Sequence, residues 1–121
     1  ISADSPYRDF FKFYNEDPGA WPDNGNYDGW WGHETLPKLN YEESVKLENY
    51  ILRIGKKWVS PPYNVDGWRL DVAADLGMSK EYNHDFWKRF RMAVKISKMK
   101  NPLQNRNRIQ TKCSTVILEI F

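Results

Sequence analysis

The sequence predicts an α/β fold, because helical and strand patterns alternate along its 121 residues. An apolar stripe with helical spacing lies within 40–58, a short β-prone stretch follows at 65–73, and a second helical stripe begins near residue 84. Helix, strand and helix in this order are typical of a parallel sheet or barrel. The length fits one small domain or a piece of a larger one.

Composition divides the chain near residue 96. The net charge is +2, but residues 96–121 carry five basic residues and one acidic residue, and 18 of the 19 aromatic residues precede them. We therefore expect two parts, 1–95 and a basic tail at 96–121 of a different origin. We expect no nucleic-acid partner, and no membrane, since no apolar run approaches the roughly 20 residues that cross a bilayer. The single cysteine, Cys113, offers neither a disulfide nor a metal-ligand spacing.

The first 40 residues predict a short strand within 5–14 and then a long loop, marked by Asp-Pro-Gly at 17–19 and Trp-Pro-Asp-Asn-Gly at 21–25. Long loops in compact domains are usually functional or disordered, and this one is too rich in aromatic residues for disorder. Flat rings beside Asp and Asn suit the apolar faces and hydroxyl rims of sugars. Candidate substrate-binding residues are therefore Tyr27, Trp30 and Trp31. The alternative is that these rings only pack the loop onto its scaffold.

The clearest helix follows this loop. Asn40 is its predicted N-cap, with Glu43 three residues later in a pattern like a capping box. Ser-Pro-Pro at 60–62 ends it. The apolar stripe runs through Leu47, Ile51, Ile54 and Trp58.

The β-prone stretch at 65–73 carries an arginine and an aspartate two positions apart. Alternation along a strand would project Arg69 and Asp71 from the same face. A nearby guanidinium favours the charged form of a carboxylate. An ionised carboxylate at a rigid strand end is what a covalent nucleophile toward a sugar requires. An ordinary structural ion pair fits the same spacing.

A second helix is predicted to begin near Asn83 or His84, with its apolar stripe at Phe86, Phe90 and Val94. The Asn-His-Asp triplet at 83–85 is then a helix start. One more strand could form within 114–121.

Several of these segments resemble the α-amylase family of glycoside hydrolases (family 13). The Asp-Gly-Trp-Arg-Leu-Asp-Val-Ala sequence at 66–73 is similar to that family's second conserved motif, at the end of barrel strand 4. Leu-Pro-Lys-Leu-Asn at 36–40 is similar to its motif before helix 3 in neopullulanase- and cyclomaltodextrinase-like members. Three further segments fit: Ser-Pro-Tyr-Arg-Asp-Phe-Phe at 5–11, the Pro-Pro-Tyr lead-in at 61–63 of amylopullulanase-like enzymes, and Phe-Trp-Lys-Arg-Phe-Arg at 86–91.

The resemblance covers about residues 5–95 and implies part of a (β/α)8 barrel around helix 3, strand 4 and helix 4. It implies a retaining α-glucan hydrolase or transglycosylase acting on starch, pullulan, maltooligosaccharide or cyclodextrin. Asp71 would be the nucleophile, Arg69 would orient it and keep it ionised, and Asp66 would be structural. No cofactor is required, although calcium is possible in the parent enzyme.

The chain also departs from the family. A complete barrel needs about 250 residues, and the family's first and fourth motifs are missing. The general acid/base stays open, with Glu119 as a candidate although Leu118 replaces the family's glycine before it. We therefore expect the isolated chain to be inactive. The alternatives are a small carbohydrate-binding module whose stacking platforms are Trp21, Tyr27, Trp30 and Trp31, or a protein with no glycan role.

Overall fold

The computed structural model describes residues 4–14 and 26–100, together with the backbone of Thr115–Leu118. The chain divides into two compact units, Ile1–Glu48 and Asn49–Ile120. Among the helices of the described residues, none combines the length and apolar character that crossing a membrane requires.

The first unit is built from short turns and isolated pairings. Its 3-10 helices are Arg8–Phe10 and Trp30–Gly32, and single antiparallel bridges join Phe11 to Leu39 and Phe13 to Tyr27. The predicted strand within 5–14 is therefore wrong, because this segment turns at residues 8–10 before it pairs. Trp21 lies outside the described residues. The buried apolar residues of the unit are Phe10, Trp30, Tyr41 and Leu47.

Helix α1 spans Val45–Trp58 and confirms the predicted apolar stripe, with Leu47 and Ile51 buried. Its start differs from the prediction at Asn40. The Ser44 hydroxyl accepts a hydrogen bond from the Leu47 N–H at 3.2 Å and thereby caps the helix. Glu43 forms no capping box, because its carboxylate pairs with the Lys12 ammonium at 2.8 Å.

Strands β1 (Gly67–Leu70) and β2 (Thr115–Leu118) are parallel neighbours. Gly67 pairs with Thr115 and Leu70 with Leu118. Helix α2 connects them, so β1, α2 and β2 form a βαβ unit, which confirms the α/β prediction. Strand β1 is shorter than the predicted stretch 65–73, because the backbone turns at Val72 into a 3-10 helix. These two strands close no barrel within the described residues.

Helix α2 spans Lys80–Met99. It begins before the predicted start at residues 83–84, because the Ser79 hydroxyl accepts from the Tyr82 N–H at 3.2 Å and caps it. Phe86 and Phe90 are buried, as their spacing predicts. The helix continues past residue 96, so the change in composition does not coincide with the end of an element. The division at residue 95 stays a prediction.

Candidate functional site

The two faces of β1 differ in their surroundings. Trp68 packs edge-on against the Phe90 ring at a centroid distance of 6.1 Å and donates its indole N–H to the Gly55 carbonyl at 3.1 Å. Its face of the strand is therefore covered by α1 and α2. Arg69, the next residue, is exposed and by alternation lies on the opposite face.

Asp71 directly follows the last residue of β1 and is exposed. The next residue, Val72, has φ of 49° and ψ of 26°, the left-handed region that a β-branched residue rarely adopts. Such a conformation costs on the order of 1–3 kcal/mol and persists only where surrounding contacts enforce it. The chain then enters a 3-10 helix at Ala73–Asp75. This reversal ends the strand at Leu70 instead of at residue 73.

Arg69 and Asp71 do not form the expected contact. Among the described residues, no ion pair within 4.0 Å joins the two side chains. The prediction assumed that the strand continues through Asp71, whereas β1 ends at Leu70. An ordinary ion pair between these two side chains is likewise not formed among the described residues.

The turn behind Asp71 is held by two side chains of α2. The Asn83 amide donates to the carbonyl oxygens of Ala73 at 2.8 Å and Leu76 at 2.9 Å, with a longer contact of 3.3 Å to Ala74. The Trp87 indole N–H donates to the same Ala73 oxygen at 2.8 Å. Sequence reasoning missed this arrangement. The available signal was Ser79, a favoured N-cap residue, which would have moved the helix start and placed residue 83 inside the helix.

The Asn-His-Asp triplet at 83–85 lies in the early turns of α2. Asn83 is 7% exposed, whereas His84 and Asp85 are exposed. A hydrogen bond at 2.9 Å from the Lys88 ammonium, together with its charge, lowers the pKa of the Asp85 carboxyl. Asp85 is therefore engaged in a surface pair along the helix, as the helical interpretation of the triplet predicts.

The candidate stacking rings lie in the first unit and differ in exposure. Trp30 is only 4% exposed, whereas Trp31 is 70% exposed. A ring as buried as Trp30 presents almost no face to a ligand, whereas Trp31 presents most of its ring, and a substrate-binding role for either stays a prediction. Trp31 adopts φ of 51°, again in the left-handed region. Gly29 permits this tight turn, because a Cβ there would lie 2.3 Å from the His33 carbonyl oxygen.

Tyr27 is half-buried beside the Phe13 ring at a centroid distance of 6.3 Å, and its hydroxyl donates to the Glu34 carbonyl. This hydrogen bond connects Tyr27 to the segment that directly follows Trp31. Nearby, the Tyr14 hydroxyl donates to Asp28 at 3.3 Å. Desolvation, with a smaller contribution from the Asp28 charge, raises the pKa of Tyr14.

Residues of the types that commonly bind metal ions are not clustered in the described part of the chain. No three His, Cys, Asp or Glu side chains there come together in a way that could hold an ion. These residues do not fit a calcium site. Glu119 and Cys113 lie outside the described residues.

Comparisons with known proteins connect this chain to one family. The family model of the alpha amylase catalytic domain matches residues 1–113. The chain is 35% identical to an amylopullulanase of Thermoanaerobacterium thermosulfurigenes over 112 residues, covering 82% of the chain and 5% of that protein. It is 36% identical to a maltogenic alpha-amylase of Bacillus acidopullulyticus over 94 residues, covering 78% of the chain and 14% of that protein.

A cyclomaltodextrinase of Geobacillus thermopakistaniensis (strain MAS1) is also 36% identical, over 96 residues that cover 79% of the chain and 15% of that protein. The chain therefore spans between 5% and 15% of the length of these three relatives. No solved structure matches it.

Proposed function

We propose that this chain, which belongs to the alpha-amylase family of catalytic domains, is part of a retaining α-glucan hydrolase or transglycosylase and carries its nucleophile, Asp71. One observation carries the proposal. Asp71 is an exposed carboxylate immediately after a parallel strand, and a strained residue follows it. Barrel enzymes hold their catalytic residues at the carboxyl ends of their strands.

The chemistry of a retaining glycosidase assigns Asp71 a definite step. A carboxylate oxygen attacks the anomeric carbon of a glucosyl unit while the glycosidic C–O bond breaks, and a general acid gives its proton to the departing oxygen. This attack forms a glycosyl ester of Asp71. Water then attacks the anomeric carbon of that ester, returns a proton to the acid/base and releases the Asp71 carboxylate. In a transglycosylase, a sugar hydroxyl takes the place of that water.

The second carboxyl group lies about 5–5.5 Å from the nucleophile in retaining enzymes. Glu119 is the candidate for this acid/base, because in sequence it follows Leu118 as Asp71 follows Leu70, and these two leucines are register partners in β1 and β2. A Glu119→Gln variant assayed beside Asp71→Asn tests the assignment.

Arg69 supports the barrel interpretation. Its face of β1 is opposite the face that α1 and α2 cover, as expected for a strand whose other face lines a barrel interior. We propose that α1, β1 and α2 correspond to helix 3, strand 4 and helix 4 of a (β/α)8 barrel. Arg69 would then orient the Asp71 carboxylate once the complete barrel surrounds both side chains.

The substrate class rests on the relatives and on one ring. The relatives are named for acting on pullulan, on cyclomaltodextrins or as amylases, so we propose an α-glucan or maltooligosaccharide substrate. Within the first unit, Trp31 is the aromatic surface that we propose for contact with sugar. Trp30 and Tyr27 hold its segment in place.

The decisive experiment replaces Asp71 by Asn in the full-length protein that carries these residues. We expect hydrolysis of maltooligosaccharide and pullulan to fall by at least about 10³-fold, because the covalent step loses its nucleophile. Asp75→Asn is the matched control, since Asp75 is an exposed aspartate of the same turn. Retained activity in Asp71→Asn, or equal loss in both variants, would overturn the proposal.

A small carbohydrate-binding module is the second candidate, favoured by the exposure of Trp31. It predicts that the isolated 121-residue chain binds maltooligosaccharides and that its tryptophan fluorescence is quenched. The proposed enzyme segment predicts no such binding, because its substrate cleft needs the remainder of the barrel.

A further inference from the structure

The segment behind Asp71 is attached to α2 at one point in particular. The Ala73 carbonyl oxygen accepts two hydrogen bonds, one from the Asn83 amide and one from the Trp87 indole, both at 2.8 Å. The two donors are four residues apart and therefore lie on one face of the helix. The acceptor lies two residues after Asp71 in the chain.

Asn83 adds a second attachment. Its amide also donates to the Leu76 carbonyl, which lies beyond the 3-10 helix Ala73–Asp75. Both ends of this short helix are thus bound to the same side chain. An Asn inside a helix adds little to the stability of that helix, since Asn is a weak helix former. Its burial is explained by these backbone acceptors.

The donors themselves are fixed by packing. Trp87 contacts Phe86 at a centroid distance of 4.9 Å and Phe90 at 5.6 Å, and both phenylalanines are buried. The conformation of Val72 is unfavourable by itself and needs contacts that enforce it. The hydrogen bonds from α2 supply such contacts immediately after the strained residue.

We propose that Asn83 and Trp87 are positioning residues that lock the turn at residues 72–76 to α2 and thereby fix where the Asp71 carboxylate points. The inference rests on the proposed function, because it matters for catalysis only if Asp71 is the nucleophile. Neither residue touches substrate in this role. They set the direction from which Asp71 reaches the anomeric carbon, and reactions of this kind tolerate little misplacement.

The test uses the full-length protein and a pair of matched variants. Trp87→Phe removes the indole N–H to Ala73 and keeps an aromatic ring. Trp68→Phe removes the equivalent bond to the Gly55 carbonyl at 3.1 Å, away from the turn. We expect kcat on maltooligosaccharide to fall at least about tenfold in Trp87→Phe with KM within about twofold. Trp68→Phe should keep kcat, while its melting temperature should fall by about as much as that of Trp87→Phe.

Asn83→Asp provides a second, independent variant. It keeps the size of the side chain, but a carboxylate cannot donate to the three carbonyl groups. We expect the same loss of kcat at unchanged KM, with partial recovery as the pH falls and the carboxyl gains a proton that it can donate. A purely structural role would lower the melting temperature and leave the kcat of the folded protein at the wild-type value.

The outcomes separate the two proposals. If Asp71→Asn is inactive but Trp87→Phe and Asn83→Asp keep the wild-type kcat, the positioning inference is wrong and the proposed nucleophile stands. Equal kcat losses in Trp87→Phe and Trp68→Phe would also overturn the inference, since the cause would be general destabilisation. If Asp71→Asn is active, the proposed function fails and the inference fails with it.

Discussion

Trp31 is an exposed ring held in an unfavourable backbone conformation, which makes it the residue to test for sugar contact in the first unit. Stacking an apolar sugar face on this ring would remove both surfaces from water. We expect Trp31→Ala in the full-length protein to raise the Kd for maltooligosaccharide about tenfold, which corresponds to about 1.4 kcal/mol. Isothermal titration calorimetry measures the change.

Trp31→Phe is the matched control, since it keeps a flat ring and should retain most of the affinity. The melting temperature should change little in either variant, because the side chain is mostly exposed. Unchanged affinity in Trp31→Ala would remove this ring from the proposed substrate contacts. Loss of binding by the isolated chain on the same substitution would instead favour the carbohydrate-binding module.

Single residues show where sequence reasoning reaches its limit. Asp71 could be selected from its chemistry and its motif, and the structure describes it at the end of a strand. The missing contact between Asp71 and Arg69 could not be predicted, because nothing in the sequence marks Val72, a β-branched residue, for the left-handed conformation. Trp30 and Trp31 are adjacent and identical in type, and only their packing separates the buried ring from the exposed one.

Helices α1 and α2 meet closely at Gly55, where the Phe90 ring packs against the α1 backbone. A Cβ at residue 55 would lie 2.6 Å from the Phe90 ring, which cannot move freely because Trp68, Phe86 and Trp87 surround it. We expect Gly55→Ala to destabilise the full-length protein, since overpacking costs about 1–3 kcal/mol and exceeds the helical gain of about 1 kcal/mol. Urea unfolding measures the difference.

Two further variants test the crowding at Gly55 directly. Gly67→Ala is the control, because a Cβ there meets nothing within 4 Å. In a Phe90→Leu background the smaller side chain leaves room, so Gly55→Ala should cost less than it does alone. Additive effects of the two substitutions would show that the helices do not compete for this space.

Elements were predictable where apolar spacing defines them. The stripes of α1 and α2 and the order of helix, strand and helix came from periodicity alone. The starts of both helices were not, because several residues of each loop can serve as caps. Ser44 caps α1 in place of the predicted Asn40, and Ser79 caps α2 ahead of the predicted start near Asn83 or His84.

The βαβ unit positions Asp71, but hydrolytic activity would also require the rest of a barrel. A parallel sheet is stable when both of its faces are covered. Helices α1 and α2 cover one face of β1, while Arg69 on the other face is exposed. The family match extends to residue 113, yet the chain spans a small part of each relative. We therefore expect hydrolysis to require residues beyond those that position Asp71.

We accordingly expect the isolated 121-residue chain to lack both a cooperative unfolding transition and hydrolytic activity. Helix α2 exposes Met92, Ile96 and Met99, apolar side chains on which association can begin. Far-UV circular dichroism during a urea titration should show a broad, shallow change, and assays on maltooligosaccharide and pullulan should show no cleavage. A sharp transition with a well-defined midpoint would mean that the chain folds as an independent domain. Cleavage that disappears in Asp71→Asn would mean that the chain itself contains a complete catalytic site.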